Sequence, residues 1–427
     1  MRLILFDGPA EKRANFYPLA LSRPIWELRC GITTLSEKLL ARAGASEAAC
    51  FVPEYMAGAY AQRTQWKVND PAVLAGDDLL ILNGRLKAAG VKFDPKGPSE
   101  VGLDEDGQCL YAWVRKADIG RLKNQSLDEL LESAKAALPA EKCDWPTYNY
   151  AWDLVLENAD QITADCKAAG RSGIEGTLEQ PNAIRGSAKD VYVAAGAVVH
   201  PMVVIDAEHG PVYLDEDVVV HPFTRIEGPC YVGRGSVLLG TKCREGNTIG
   251  PVCRVGGEVE ESIIHGHANK YHDGFLGHAY VGEWVNLGAL TTNSDLKNDY
   301  SDVTVLMDGR TPVDTGSTKV GSLIGDHTKT SIGALFNTGA YVGAMALIMA
   351  TGKVLPKWIP SFAWLLDGQV TKGFGKAQLY KTAKVAMSRR DTQWTDADES
   401  MWDAIYEMTA PTRDIAIKKG RRAMLRK

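Results

Sequence analysis

Aliphatic residues recur every six positions in the second half of the chain. One run begins at residue 214 and takes Leu214, Val220, Ile226, Val232 and Leu238. A second run begins at Phe275, and a third extends from Ile324 to Val354 with one polar exception at Thr330. This period differs from the helical period of about 3.6 residues and from the simple alternation of a half-buried strand. It predicts a parallel β-helix, in which each six-residue side is a short strand with its turn and three sides form one coil.

The hexads are interrupted between residues 290 and 320 by a polar segment that begins Thr291-Thr292-Asn293-Ser294-Asp295. A β-sandwich with evenly spaced strands would also give short apolar segments, but five consecutive residues at one period favour the β-helix. We interpret the interruption as a loop extruded from a coil, and such loops commonly carry functional residues.

The first 150 residues have a different pattern. Short apolar segments at residues 3–6, 50–53, 79–83 and 109–114 alternate with helix-like segments at 34–43 and 127–137. This alternation predicts an α/β domain over residues 1–150 with a largely parallel sheet. We expect a helix and a Gly- and Pro-rich linker at 151–189, the β-helix at 190–356 and a C-terminal helical extension at 357–427.

Composition narrows the classes of partner. Hydrophobic residues make up 45% of the chain and charged residues 24%, which is typical of a globular domain. A formal net charge of -5 argues against nucleic acid as a partner. The apolar run at residues 3–6 is too short for a signal peptide, and no stretch has the length of a membrane span. We therefore expect a cytoplasmic protein with no membrane or nucleic-acid partner.

The candidate chemistry is concentrated in one block. All eight histidines lie within the predicted β-helix, and four of them fall between residues 265 and 278. Glycines in this block allow the backbone to approach a ligand, and Asn269, Lys270 and Asn286 can orient a bound molecule.

The segment from His272 to Thr291 reads H-D-G-F-L-G-H-A-Y-V-G-E-W-V-N-L-G-A-L-T. It resembles the acetyltransferase signature H-L-T-Y-L-G-D-A-x-I-G-x-x-V-N-I-G-A-G-T of the bifunctional N-acetylglucosamine-1-phosphate uridylyltransferase/glucosamine-1-phosphate acetyltransferases (GlmU). The runs N-K-x-H-D-G-F-L-G-H and G-E-W-V-N-L-G, with R-P-x-x-E-L-R-x-G at residues 23–31, resemble an alternate bacterial GlmU-like group. The resemblance implies a left-handed β-helix, a reduced nucleotidyltransferase-like N-terminal domain and a homotrimer. It also implies acetyl-CoA as co-substrate and an amino-sugar phosphate, such as glucosamine 1-phosphate, as acceptor.

The resemblance assigns roles by position. His272 matches the family's catalytic base, Asn286 a substrate-binding asparagine, and Ala289 an alanine that contacts acetyl-CoA through its backbone. Phe275 stands where a substrate-contacting tyrosine is usual in the family. Asn293 is displaced by one residue from the position of the family's loop asparagine.

The family's phosphate-binding lysines have no equivalent at the same spacing. Arg254 and Lys270 are our substitutes for that contact, with Asn269 as a further substrate contact. The amine of the acceptor must lose a proton as it attacks the thioester, and a neutral imidazole can accept it because histidine titrates at about pH 6.5. Such general base catalysis contributes about 100- to 10,000-fold. Asp273 or another carboxylate could orient His272.

The N-terminal domain departs from the nucleotidyltransferase pattern. Its first strand is followed by Asp7 and by Gly8, the single glycine of this segment. The family has a G-x-G-T-R loop at this position, and that loop cradles a triphosphate. Arg85 stands where an aspartate would bind Mg²⁺. The resemblance implies UTP and Mg²⁺ as ligands, with Asp7, Gly8, Arg13 and Arg23 as candidate nucleotide contacts. These departures predict weak or absent uridylyl transfer.

Two other hypotheses remain open. His267 and His272 have the H-x₄-H spacing of γ-type carbonic anhydrases, β-helix enzymes that bind zinc with three histidines across a trimer interface. The flanking residues favour the acetyltransferase, which needs no metal, and metal analysis distinguishes the two. The third hypothesis is a non-catalytic scaffold, and acetyl-CoA binding would count against it.

Overall fold

The N-terminal region is an α/β domain built on one seven-stranded sheet. The computed structural model describes residues 1–45 and 47–426. Four of the six strand pairings are parallel and two are antiparallel, so the sheet is mixed. In order across the sheet, the strands are Lys67–Val68, Glu47–Phe51, Arg2–Phe6, Leu79–Asn83, Cys109–Val114, Glu100–Leu103 and Ala140–Lys142.

Helices cover this sheet on both faces. Successive side chains of a strand point to opposite faces, so Leu3 and Leu5 belong to one hydrophobic core and Ile4 to the other. Leu79–Asn83 is buried at every position, which explains its continuous apolar sequence. The helices of the region are Ala10–Ala14, Leu35–Ala43, Glu54–Ala61, Lys116–Ile119, Leu127–Ala137, Ala151–Leu156 and Asn158–Ala169.

The second region is a parallel β-helix, as the six-residue period predicted. The five aliphatic residues of the first run, from Leu214 to Leu238, are all fully buried. Equivalent residues of successive coils stack, as in the pairing of Leu214 with Val232 and of Val232 with Ile249. Burying each such side chain stabilises the fold by about 1.5–3 kcal/mol. The handedness implied by the resemblance stays a prediction.

The strands of the β-helix form two ten-stranded sheets and smaller ones. One ten-stranded sheet contains Gly173–Ile174, Val191–Val193, Val212–Leu214, Cys230–Val232, Asn247–Ile249, Ile263–Ile264, Tyr280–Val281, Leu323–Ile324, Tyr341–Val342 and Trp358–Ile359. The other contains Thr177–Leu178, Ala183–Gly186, Val198–Val199, Val204–Ala207, Val219–Val220, Arg225–Glu227, Val237–Cys243, Arg254–Glu260, Asn269–Lys270 and Phe275–Gly277. The remaining strands are Thr292–Asn293, Leu335–Phe336, Lys329–Thr330, Leu347–Ile348, Trp364–Leu366 and Gln369–Thr371.

The coils extend beyond the range expected from the sequence. They begin at Gly173, inside the stretch 151–189 that was expected to end in a linker, and continue past residue 356 to Trp364–Leu366. The first coils escaped the pattern because Gly173–Ile174 and Thr177–Leu178 are two-residue strands with few large aliphatic side chains.

The polar interruption is a loop that leaves the coil. Tyr280–Val281 pairs directly with Leu323–Ile324, so a long intervening segment lies outside this sheet. Within that segment Thr304–Leu306 and Pro312–Asp314 form an antiparallel hairpin.

Three helices follow the β-helix: Lys376–Ser388, Asp396–Met408 and Ala410–Met424. They share one hydrophobic core with the other two regions, since Trp26, Tyr280, Leu379 and Trp402 all belong to it. None of the helices that the structure describes has the length and apolar character of a membrane span.

Candidate active site

Four polar residues form a column along one side of the β-helix. Arg254 pairs with Asn269, Asn269 with Asn286, and Asn286 with Lys329, each from a successive coil. We call these four residues the polar column. Three of them were predicted as substrate contacts from the sequence, but Lys329 was not. Lys329 joins the column because the chain, after the extruded loop, pairs again with the coil of Asn286. The six-residue period is interrupted in that loop, so the sequence alone does not predict this pairing.

The helix Lys376–Ser388 lies against the polar column and closes a cavity of about 280 Å³. We call this cavity the groove. Its polar and aromatic lining residues are His267, Asn269, Trp284, Asn286, Lys329, Thr382, Arg389 and Arg390. Arg389 and Arg390 come from the C-terminal region and were not among the site residues predicted from the sequence.

A chain of hydrogen bonds crosses the groove. Arg390 Nη2 donates to Asn269 Oδ1 at 3.3 Å, and Asn269 Nδ2 donates to Asn286 Oδ1 at 3.3 Å. Lys329 Nζ donates to the carbonyl oxygens of Trp284 at 2.9 Å and His327 at 3.5 Å. Burial lowers the pKa of Lys329 to about 8, so its ammonium is partly neutral slightly above neutral pH.

Lys270 lies inside the β-helix and not in the groove. It is aligned with the fully buried Val255 of the preceding coil and is itself 2% exposed. Its Nζ donates to Gly256 O at 3.0 Å and to His272 O at 2.5 Å, and burial lowers its pKa to about 8. The sequence suggested a phosphate contact, whereas the structure uses this ammonium to fix the turn that carries His272.

His272 lies on the surface of that turn. Its imidazole is exposed, makes no side-chain hydrogen bond to any residue that the structure describes, and lies with its ring centroid 4.9 Å from that of Tyr271. Asp273, considered as an orienting carboxylate, is also exposed and does not hydrogen-bond to it. His272 does not line the groove.

Three other residues assigned by resemblance, Ala289, Phe275 and Asn293, lie near this turn or in the next coil. Ala289 precedes Leu290, whose N–H donates to Asp273 O at 2.8 Å, so the turns of His272 and Ala289 stack. Phe275 is half-buried. Asn293 is buried, and its amide bonds both the N–H and the carbonyl of Gly277 at 2.9 Å. Asn293 therefore supports the coil through the same groups that were expected to contact a substrate.

One edge of the β-helix exposes a line of apolar side chains. We call it the apolar edge; its members, each between 47% and 78% exposed, are Met202, Phe223, Tyr271, Leu290, Ile332 and Met349. The turns that carry them stack, as shown by hydrogen bonds from Phe223 N to Met202 O at 3.0 Å and from Gly333 N to Ala289 O at 2.7 Å. His272 is next to Tyr271 on this edge.

His278 is buried between two carboxylates. Its Nδ1 lies 2.8 Å from Asp295 Oδ2 and its Nε2 3.1 Å from Glu261 Oε2. Burial alone would lower the pKa of His278, but the hydrogen bonds to Asp295 and Glu261 raise it to about 9. The charged imidazole thus attaches the first part of the extruded loop to the coil.

His267, the other histidine of the zinc hypothesis, stacks on Trp284 with ring centroids 4.3 Å apart and lines the groove. Among the described residues, the three metal-ligating side chains that lie close enough to share an ion are Glu245, Glu260 and Glu261. His267 therefore lies in the groove and His272 on the exposed turn, and neither belongs to this set of possible metal ligands.

Arg23, a candidate nucleotide contact, instead joins the N-terminal domain to the β-helix. Its Nη2 donates to Asp326 Oδ2 at 2.5 Å and to Glu283 Oε2 at 2.9 Å. Arg23 and Asp326 are each 4% exposed, and Ser22 Oγ also donates to Asp326. Its guanidinium therefore lies in the domain interface.

The loop after the first strand is closed by a second buried ion pair. Arg13 Nε donates to Asp7 Oδ2 at 2.7 Å, and Asp7 Oδ1 accepts from Ile25 N–H at 2.8 Å. A Cβ added at Gly8 would lie 2.6 Å from Asn83 Nδ2, so the loop packs directly on the next strand. Arg85 is also buried. These residues do not fit a Mg²⁺–triphosphate site, because Asp7, the carboxylate that follows the first strand, is already paired with Arg13.

Comparisons with known proteins relate parts of this chain to sugar nucleotidyltransferases and to GlmU proteins. Residues 3–172 match the model of a family described as sugar nucleotidyl transferase. The bifunctional protein GlmU of Acidovorax ebreus (strain TPSY) is 35% identical over 113 residues, which are 26% of this chain and 21% of that protein. The bifunctional sugar-1-phosphate nucleotidylyltransferase/acetyltransferase of Sulfurisphaera tokodaii is 34% identical over 91 residues, 21% of this chain and 22% of the relative.

The chain is thus GlmU-like over part of its length, as the sequence resemblance predicted, and the match spans about a fifth of these relatives. The solved UDP-N-acetylglucosamine acyltransferase of Francisella novicida aligns with 55% of this chain and 88% of its own, at 11% identity. The TM-score of this alignment is 0.29.

Proposed function

We propose that this protein is an acetyl-CoA-dependent N-acetyltransferase that acts on an amino-sugar phosphate of the glucosamine 1-phosphate type. The observation that carries the proposal is His272, an exposed imidazole without a hydrogen-bond partner among the described residues, on a turn held by the buried ammonium of Lys270. The signature around His272 and the similarity to GlmU proteins support the same reaction.

In this proposal the reaction proceeds by direct transfer. The neutral imidazole of His272 accepts a proton from the acceptor amine as the amine nitrogen bonds to the thioester carbonyl carbon. The tetrahedral intermediate then collapses, the carbon–sulfur bond breaks and the CoA thiolate leaves. Ala289 supplies a backbone contact for acetyl-CoA, and it lies one coil from His272 because the turns of Asp273 and Leu290 stack.

We further propose that the apolar edge is covered by another copy of the chain in a C3 trimer. Single exposed apolar residues are common, but six of them along one edge are typical of an interaction surface. Identical chains related by a threefold axis would bury this edge in each copy. Because His272 is next to Tyr271 on the edge, the reaction would then take place at the interface between copies.

The N-terminal domain, in this proposal, has a structural role and little uridylyltransferase activity. The buried pair of Asp7 with Arg13 and the domain contact of Arg23 support this view. Mg²⁺ and UTP are accordingly not assigned to the reaction.

The deciding experiment is a thiol-release assay with acetyl-CoA and a panel of amino-sugar phosphates, each compared with its N-acetylated form. We expect release with at least one free amine and none with its acetylated counterpart. Absence of release with every amino sugar, together with no binding of acetyl-CoA, would favour the scaffold hypothesis. Stoichiometric zinc that is required for activity would favour the carbonic anhydrase hypothesis.

A further inference from the structure

Three cationic side chains line the groove, and none of the described residues that line it is acidic. They are Arg389, Arg390 and Lys329. Arg254, at the end of the polar column, also lies near this cluster, since burial and then the charge of Arg390 lower its pKa. Like charges in a partly buried space repel one another, and a bound anion would relieve that repulsion.

Several donors in the groove have no acceptor among the described residues. Arg390 Nε is buried without a partner. The side chain of Arg389, which is exposed, also lines the groove. Lys329 uses two carbonyl acceptors, which leaves one of its three N–H groups for a ligand. Asn286 accepts from Asn269 through Oδ1, so its own amide N–H groups remain available. Buried donors are normally satisfied, so the unpaired Arg390 Nε, next to these other available donors, indicates that the groove can hold an acceptor.

One wall of the groove is flat and aromatic. His267 and Trp284 stack at 4.3 Å with an interplanar angle of 20°. A cavity of about 280 Å³ that is lined by guanidinium groups and by an indole suits a small ring that carries a phosphate.

We propose that this groove binds the phosphate group of a phosphate monoester, with Arg389, Arg390 and Lys329 as its cationic contacts. The binding of a phosphate is independent of the transferase activity, but its role as part of the substrate site rests on the proposed function. Two sources share this chemistry: the phosphate of the acceptor sugar and the 3′-phosphate of CoA. In either case Arg389 and Arg390, which directly follow the helix Lys376–Ser388, take part in binding.

The test is calorimetric titration of the full-length protein with glucosamine 1-phosphate and with CoA. Glucosamine and dephospho-CoA serve as the phosphate-free counterparts. We expect one of the two phosphate-bearing probes to bind at least about tenfold more tightly than its counterpart, because charge-assisted hydrogen bonds to the phosphate are lost in the latter. Preference for glucosamine 1-phosphate over glucosamine identifies the acceptor as the source, and preference for CoA over dephospho-CoA identifies the donor.

The contacts are tested with Arg389→Gln/Arg390→Gln and, separately, with Lys329→Met. Each variant should bind the phosphate-bearing probe about tenfold or more less tightly and bind the phosphate-free counterpart with unchanged affinity. Lys381→Gln is the matched control, since it removes an exposed charge from the preceding helix Lys376–Ser388 outside the groove. Equal binding of both members of each pair by the wild type would overturn the proposal, as would unchanged phosphate binding by folded variants.

His272→Ala separates this proposal from the proposed function. If the groove is a phosphate site, this variant retains wild-type affinity for the phosphate-bearing probe even though thiol release is lost. A protein that binds the phosphate through the groove but never releases thiol would support the groove and contradict the transferase.

Discussion

Arg23 Nη2 lies 2.5 Å from Asp326 Oδ2 and thereby joins the N-terminal domain to the β-helix through a buried ion pair. Glu283 is the second acceptor of the same guanidinium, at 2.9 Å. Asp326 and Glu283 belong to turns of two adjacent coils, because Glu283 N–H donates to Asp326 Oδ1. One arginine from the first domain therefore pairs with two carboxylates of the second.

Replacing Arg23 by methionine should destabilise the protein strongly. The side chain keeps much of its volume, but Asp326 and Glu283 lose their counter-ion in a buried site, which costs about 3–5 kcal/mol in free energy of unfolding. Chemical denaturation measures this loss. Arg121→Met is the control, since Arg121 is 55% exposed and its pair with Asp118 should contribute about 0–1 kcal/mol. Equal effects of the two substitutions would contradict the structural role of Arg23.

His272→Ala should lower kcat by about 100-fold or more and leave the affinity for acetyl-CoA unchanged, because the substitution removes a proton acceptor but no buried contact. Thiol-release kinetics give kcat, and calorimetry gives the affinity. His209→Ala, at another exposed histidine of the β-helix, should retain wild-type kcat. Near wild-type release by His272→Ala would show that the base lies elsewhere. A zinc enzyme would instead lose metal and activity together in both His267→Ala and His272→Ala.

The stability provided by His278 should decrease at alkaline pH. Its pKa is about 9 in the folded protein and about 6.5 in the unfolded chain, so the folded state binds this proton more tightly. The stabilisation is complete below pH 6.5 and is lost as the pH rises through 9. Glu261 and Asp295, whose pKa values are lowered, remain ionised throughout this window.

The measurement is the difference in free energy of unfolding between the wild type and His278→Gln at several pH values. That difference should shrink between about pH 6.5 and pH 9.5. His209→Gln provides the baseline for an exposed histidine. A difference that is constant across this range would mean that His278 is uncharged in the folded protein.

The apolar edge should control assembly. We expect light scattering to report a trimer for the wild type and a smaller species for Leu290→Asp/Ile332→Asp, because two buried charges per copy would oppose association. Met408→Asp, an exposed apolar position on a C-terminal helix, is the control and should stay trimeric. A wild-type monomer at working concentration would count against a shared site. If the variant is monomeric but fully active, the site is complete within one chain.

Uridylyl transfer should be weak or absent. Asp7 is paired with Arg13, and Arg85 stands where a metal carboxylate was expected, so the domain has no evident place for Mg²⁺ at that position. Pyrophosphate release from UTP and N-acetylglucosamine 1-phosphate, with and without Mg²⁺, measures this activity. Robust Mg²⁺-dependent release would mean that another carboxylate binds the metal.

The sequence by itself determined the architecture, because the features that specify it are local and repeated. Leu214, Val220 and Ile226 recur every six residues, and each is fully buried in the interior of the β-helix. Asn269 and Asn286 could also be placed near one another, since one coil separates them and no insertion intervenes. The boundaries were less accurate, because the first coils have short strands and few large aliphatic residues.

Only the tertiary structure decided which polar residues share a site. Asn286 and Lys329 are neighbours because the extruded loop returns the chain in register, and Arg390 reaches Asn269 from 121 residues further along the chain. Lys270, next to Asn269 in sequence, points into the interior, so two adjacent polar residues have opposite roles. Arg23 likewise pairs with a carboxylate 303 residues away. Contacts of this range depend on how complete elements pack, and neither a repeat nor a motif encodes that packing locally.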